Sequence, residues 1–329
     1  MSEGSKKQKH KHFYIRKYKA YIFVIVLSLA TGIIGGIATN LFSYSQKQTS
    51  VVVDDTQINE KTEDVKTVDD TFTYGKKEND NKDLKELYKT LPIYGKKVSW
   101  YGDSIINTQF WSVISTDLNL ASTNNGVGGT RISGTDAASM NQESRINGKY
   151  KDVEDQNTGT VTTGGAAIPN DVDYIIIGAG TNDWAGSVPL GQKEIQFDTK
   201  GNPIEDVTTF YQACHVMFRN IQKLRPNAKV IVLGTPYGFH LQRFNEATQG
   251  VYNNEGLTSL DYGNALCDVA EMWGFPAFRY GNYMGINESN VLTLLDPDKV
   301  NGHIHPGTEK ALQMFVDATM KGIIELRFY

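Results

Sequence analysis

Cysteine is nearly absent from this chain of 329 residues, which contains only Cys214 and Cys267. A disulfide-stapled scaffold is therefore excluded, and the pair has neither zinc-site nor redox-motif spacing. Both cysteines fall in stretches with helical apolar spacing, where buried free thiols are the simpler reading and one disulfide the other. Excess charge is lacking as well. With 33 Lys and Arg against 37 Asp and Glu, the formal net charge of −4 gives no sign of a nucleic-acid partner. No internal repeat occurs. No acidic or histidine constellation has metal-site spacing, so neither a metal nor a cofactor is expected.

What is present is unevenly distributed. Residues 1–19 carry Lys6, Lys7, Lys9, Lys11, Arg16, Lys17 and Lys19 against one acid, Glu3. An uncharged, apolar run follows over 20–42, and about 20 apolar residues suffice to span a bilayer. The basic flank places 1–19 in the cytoplasm and the rest of the chain outside. A cleavable signal peptide shares such a start, and Gly36-Ile37-Ala38 can pass for its cleavage site. Its apolar region, however, is normally only about 7–15 residues long, which favours an uncleaved anchor. Residues 43–92 are expected to form an acidic stalk. Its stretch 43–82 has too few large apolar groups to offset the entropy of ordering. A short helix is expected over 82–90, and the folded domain spans 93–329.

From Lys97 onward, short apolar strands alternate with helical stretches. Strands are expected at 98–101, 173–177, 229–233 and, more weakly, 276–280. Helices are expected at 105–118, 208–224, 260–273 and 308–326. This alternation implies an α/β fold, a three-layer α/β/α sandwich around a parallel, flavodoxin-like sheet of about five strands, preceded by a single transmembrane helix. In such sheets the ligand crevice lies at the carboxyl ends of the strands.

Three polar clusters lie where that rule directs attention. Gly102-Asp103-Ser104-Ile105 is a tight strand-to-helix turn. Its serine faces free N–H groups at a helix start, or serves simply as an N-cap. Residues 124–130 form a glycine-rich loop able to bring backbone amides close to a ligand, or a mere flexible turn. Gly180-Thr181-Asn182-Asp183 follows the most apolar strand; its Asn can donate to a developing oxyanion or cap the strand end. Among the histidines, His10 and His12 belong to the basic tail, and His215 sits mid-helix among apolar neighbours. His240 can border the crevice, but nothing pairs it with a role. His303 and His305 occupy a loop before the last helix, where an imidazole can take a proton from a serine.

In these blocks, over about residues 97–326, the chain resembles the SGNH (GDSL-type) esterases and acylhydrolases. The resemblance implies Ser104 as nucleophile and His305, followed by Pro306, as general base. It implies an oxyanion hole formed by the backbone N–H groups of Ser104 and Gly129 and the side chain of Asn182. One block departs from the pattern. The family's Asp three residues before the histidine is replaced by Gly302. The nearest acids are Asp298 and Asp296, of which Asp298 is preferred as the residue orienting His305. A backbone carbonyl or Asn301 would instead leave a Ser–His dyad, and His303 is the base if the register shifts. The Gly-x-Ser-x-Gly elbow is missing, since Ile106 stands at its second glycine, which argues against an α/β-hydrolase.

The function this implies is a membrane-anchored, extracytoplasmic serine esterase. Its expected partners are the membrane and an ester substrate, such as O-acyl groups on an envelope polysaccharide. The alternatives are an O-acyltransferase built on the same site, or an inactive ligand-binding module, for which Gly302 is the support. The polar, glycine-rich segment 130–170 is expected to form loops near the crevice.

Overall fold

The computed structural model describes residues 82–149, 153–154, 161–162, 167–240, 250–296 and 302–326. All fall in one unit, Asp69–Tyr329. The basic tail and the expected anchor lie outside the described residues, as does the stalk up to residue 81. Among the described residues no helix is long and apolar enough to cross a membrane.

The order of the main elements is α1 (Lys82–Lys89), β1 (Lys97–Gly102), α2 (Phe110–Asp117), β2 (Ala121–Gly126), β3 (Tyr174–Gly178), α3 (Thr181–Ala185), α4 (Phe210–Leu224), β4 (Lys229–Leu233), α5 (Ser259–Met272), β5 (Ala277–Phe278) and α6 (Glu309–Glu325). The five strands are all parallel and pair in the order β2-β1-β3-β4-β5. This is the flavodoxin-like order the alternation implied.

The reason lies in the strands themselves. Every residue of β3 is buried. Ile175 and Ile177 pack with Phe210, Met217 and Phe218 of α4, and with Leu266 and Val269 of α5. Tyr174 and Ile176 turn the other way, into a second core with Phe110 and Ile114 of α2 and Phe315 and Ile323 of α6. Successive side chains thus feed two apolar layers, each worth about 1.5–3 kcal/mol per buried large side chain. Cys214 and Cys267 are buried free thiols in the first of these layers.

Three expectations need correcting. The stalk boundary at 92 is too late, because 82–89 is helical and Leu91 is buried in the second core. The helix expected from 105 starts at Phe110. Asp103 captures the Ile105 N–H and the intervening chain turns before it coils. β2 was not foreseen as a strand. It is polar, with only Asn125 buried, and is held as an edge by backbone pairing with β1.

Chain order reverses between β1 and β3, which opens a crevice at their carboxyl ends. Close approach there demands glycine. A Cβ on Gly102 would stand 2.1 Å from the Gly178 carbonyl oxygen, nearer than any real contact.

Candidate active site

Three loops leave the strand ends side by side. Ser104 follows β1, and the loop after β2 lies against it, so that a Cβ on Gly128 would stand 3.8 Å from the Ser104 Cβ. After β3 the backbone turns through Gly180 at φ 114°, a conformation that L side chains rarely adopt, and then starts α3.

His305 arrives from the loop preceding α6. Its Nε2 lies 2.7 Å from Ser104 Oγ, and its Nδ1 lies 3.0 Å from Asp296 Oδ2. An ionised carboxylate can only accept, so Nδ1 carries the proton and Nε2 presents its lone pair to the serine hydroxyl. In this arrangement the imidazole can take the Ser104 proton while the carboxylate stabilises the imidazolium that results.

The acid is not the one preferred from sequence. Asp298 and Asn301 lie outside the described residues, and the carboxylate on His305 is that of Asp296. A tertiary device brings it there. Leu295 bridges Pro306 and Phe239 bridges His303, so two antiparallel contacts fix the loop. Within it the Asp296 N–H donates to the His305 carbonyl at 3.0 Å. In return the His305 N–H donates to Asp296 Oδ2, also at 3.0 Å. Asp296 has φ 38°, a left-handed conformation that non-glycine residues hold at a cost of order 1–3 kcal/mol. Gly302, where the family pattern has its acid, faces the His240 ring instead.

The other histidines separate cleanly. His303 is buried, its Nδ1 lies 2.6 Å from the Leu295 carbonyl oxygen, and its ring packs edge-on against Phe239. It holds the loop and does not reach Ser104. His215 is held between the Lys193 carbonyl oxygen at 2.7 Å and the Trp273 indole N–H at 2.9 Å. Its burial lowers its pKa, which suits a structural, neutral ring.

The loops that carry the three expected oxyanion donors are neighbours. Asn182 Nδ2 donates to the Thr130 carbonyl at 2.9 Å, which orients the amide and leaves its second N–H available. The backbone N–H groups of Ser104 and Gly129 find no acceptor among the described residues.

Sequence reasoning missed the layer beneath. Asp103, Asp183 and Arg145 are all buried. Arg145, from the segment expected only to form loops, lies over the Tyr101 ring and donates to the carbonyls of Gly102 and Asn125, the tails of β1 and β2. A lone arginine in a polar run carries no pattern that would single it out. Among the described residues no group of His, Cys, Asp and Glu is arranged to hold a metal ion.

No family model and no curated protein matches the chain. Among solved structures, a protein from Lactobacillus plantarum is similar at 20% identity over 70% of this chain and 96% of its own, with a TM-score of 0.48. A possible lipase from Chitinophaga pinensis is similar at 16% identity over 70% and 99%, with a TM-score of 0.42. A GDSL-like lipase from Bacteroides thetaiotaomicron is similar at 13% identity over 75% and 98%, with a TM-score of 0.41. Solved structures bearing the name of the family read from the sequence are thus among those similar to this chain.

Proposed function

We propose that this chain is a serine ester hydrolase of the SGNH type that works through an acyl-serine intermediate. The observation that carries this reading is the continuous path Ser104 Oγ, His305 Nε2, His305 Nδ1, Asp296 Oδ2, with contacts of 2.7 and 3.0 Å. His305 deprotonates Ser104 as it attacks the ester carbonyl. The oxyanion is met by the N–H groups of Ser104 and Gly129 and the side chain of Asn182. His305 then returns the proton to the leaving alcohol, and a water activated by the same ring releases the acid. The reading as an inactive module leaned on Gly302 alone, and Asp296 supplies the carboxylate that Gly302 lacks.

We also propose that residues 20–42 anchor the chain in a membrane with the catalytic domain outside, on the strength of the apolar run and its basic flank. An ester of the cell envelope, such as an O-acylated polysaccharide, is the substrate this location suggests. Transfer of the acyl group to a sugar hydroxyl would use the same residues. Product analysis with acceptor glycans separates the two, since a hydrolase yields free acid whatever acceptor is present.

A fluorophosphonate probe tests the central claim. Wild-type protein is expected to become labelled on Ser104, and Ser104→Ala to stay unlabelled. Equal labelling of both proteins, or none of the wild type, sinks the reading. Asn182→Ala is expected to lower kcat on a short-chain aryl ester by about 10²–10³ with KM little changed, because one oxyanion donor is lost. A change confined to KM would remove Asn182 from the oxyanion hole.

A further inference from the structure

Two buried carboxyl groups beneath the site touch none of the reacting atoms. Asp103 immediately precedes Ser104 and Asp183 immediately follows Asn182, and both are 0% exposed. Asp103 Oδ1 accepts the Ile105 N–H at 2.9 Å, which closes the turn that carries Ser104. Asp183 accepts the Ile132 N–H at 2.9 Å and the Ser133 N–H at 3.0 Å, fastening α3 to the loop after β2. Each of these three loops carries one oxyanion donor. The Asn182–Thr130 hydrogen bond closes the set.

Neutral side chains could accept the same backbone N–H groups without burying charge. Asp103 Oδ2 has no hydrogen-bond partner among the described residues, so half of this carboxyl is desolvated without compensation. Asp103 is joined by one peptide bond to Ser104, whose hydroxyl lies 2.7 Å from His305 Nε2. The groups that act on its charge are His305 from the loop before α6, Asp183 from α3 and the buried Tyr280 phenol from the turn after β5. A negative charge in that place favours the imidazolium that forms when Ser104 gives up its proton.

We propose that Asp103 and Asp183 are positioning residues: Asp183 ties the loop after β2 to α3, Asp103 sets the turn that carries Ser104, and the charge of Asp103 also favours protonated His305. This rests on the Ser104–His305 reading above. Burial is the main cause that raises the Asp103 pKa to about 7; the Ile105 N–H and His305 oppose the rise and Asp183 adds to it. The native fold therefore keeps a proton that the unfolded chain has lost above pH of about 4. Through this group, stability declines as pH rises from about 4 to about 7 and stays reduced above it. The charge that assists His305 is present only above that range.

The test uses the rate of fluorophosphonate labelling of the full chain as a function of pH. Asp103→Asn keeps the shape and the acceptor but not the charge. It is expected to label about tenfold more slowly at pH 8, the effect of one pKa unit of lost coupling. Its deficit should shrink as pH falls below 7 and wild-type Asp103 takes up its proton. Asp183→Asn is expected to lower kcat on an aryl ester about 10²-fold at all pH values with KM unchanged, as donor misplacement does. A wild-type to Asp103→Asn ratio that is constant with pH, or wild-type turnover in Asp183→Asn, overturns the proposal. Should either variant fail to fold by circular dichroism, infrared difference spectra of the wild type decide instead. A protonated-carboxyl band must disappear between about pH 6 and pH 8, and its absence overturns the proposal. Ser104→Ala separates the two levels, because normal labelling of that variant defeats the hydrolase reading itself. A silent Ser104→Ala beside indifferent aspartate variants defeats only the carboxyl pair.

Discussion

Replacing His305 by alanine is expected to lower kcat by about 10⁶, the loss typical when the base of a serine triad is removed. Replacing His303 by alanine should leave kcat within a few-fold of the wild type. The two rings stand two residues apart on one loop, and only their surroundings distinguish them. His305 is part-exposed, with one nitrogen on Ser104 and the other on Asp296. His303 is buried, bonded to the Leu295 carbonyl and packed on Phe239. Its removal leaves a buried acceptor unsatisfied and a gap against Phe239, a cost of about 1–3 kcal/mol. The pair should therefore dissociate. His305→Ala unfolds near the wild-type temperature and is inactive, while His303→Ala is active and unfolds several degrees lower. Steady-state kinetics on an aryl ester and thermal melts measure both. Loss of turnover in His303→Ala with retention in His305→Ala would mean that the base had been assigned to the wrong ring.

The reason that one histidine was legible in the sequence and its acid was not is physical. Ser104, Asn182 and His305 sit in turns whose chemistry is local: a glycine before the serine, a glycine at φ 114° before α3, a proline after the histidine. β3 and β4 were legible for a related reason, since strands buried on both faces read as unbroken apolar runs. β2 was not, because an edge strand is held by backbone pairing that its side chains do not advertise. The buried carboxyl groups Asp103 and Asp183 look in sequence like any other turn aspartates. Only the fold reveals that both are buried, with Asp183 bound to backbone N–H groups of the loop after β2 and Asp103 closing its own turn. Asp296 is the extreme case. Nothing in Leu295-Asp296-Pro297-Asp298 says which acid turns inward, because that depends on two antiparallel bridges, one of them between residues 64 positions apart.

Asp296→Asn is expected to lower kcat by about 10⁴, as amide replacement of a triad carboxylate does. Asp298→Asn should be close to wild type. The amide cannot reproduce what Asp296 Oδ2 does, whichever way it points. With its oxygen toward His305 it still accepts the Nδ1–H and the His305 backbone N–H, but it brings no charge to favour the imidazolium. With its nitrogen toward His305 it donates to Nδ1, moves the ring proton to Nε2, and leaves nothing there to accept from Ser104. Stability should move little or rise. Asparagine adopts the left-handed region at least as readily as aspartate, and φ is 38° at this position. The variant thus keeps the loop and loses the chemistry, so kinetics and melting temperature should part company. If Asp298→Asn shows the large loss and Asp296→Asn does not, the carboxylate on His305 in solution is the one the sequence favoured. If neither does, Ser104 and His305 act as a dyad, and the strained backbone at Asp296 serves only to hold the loop.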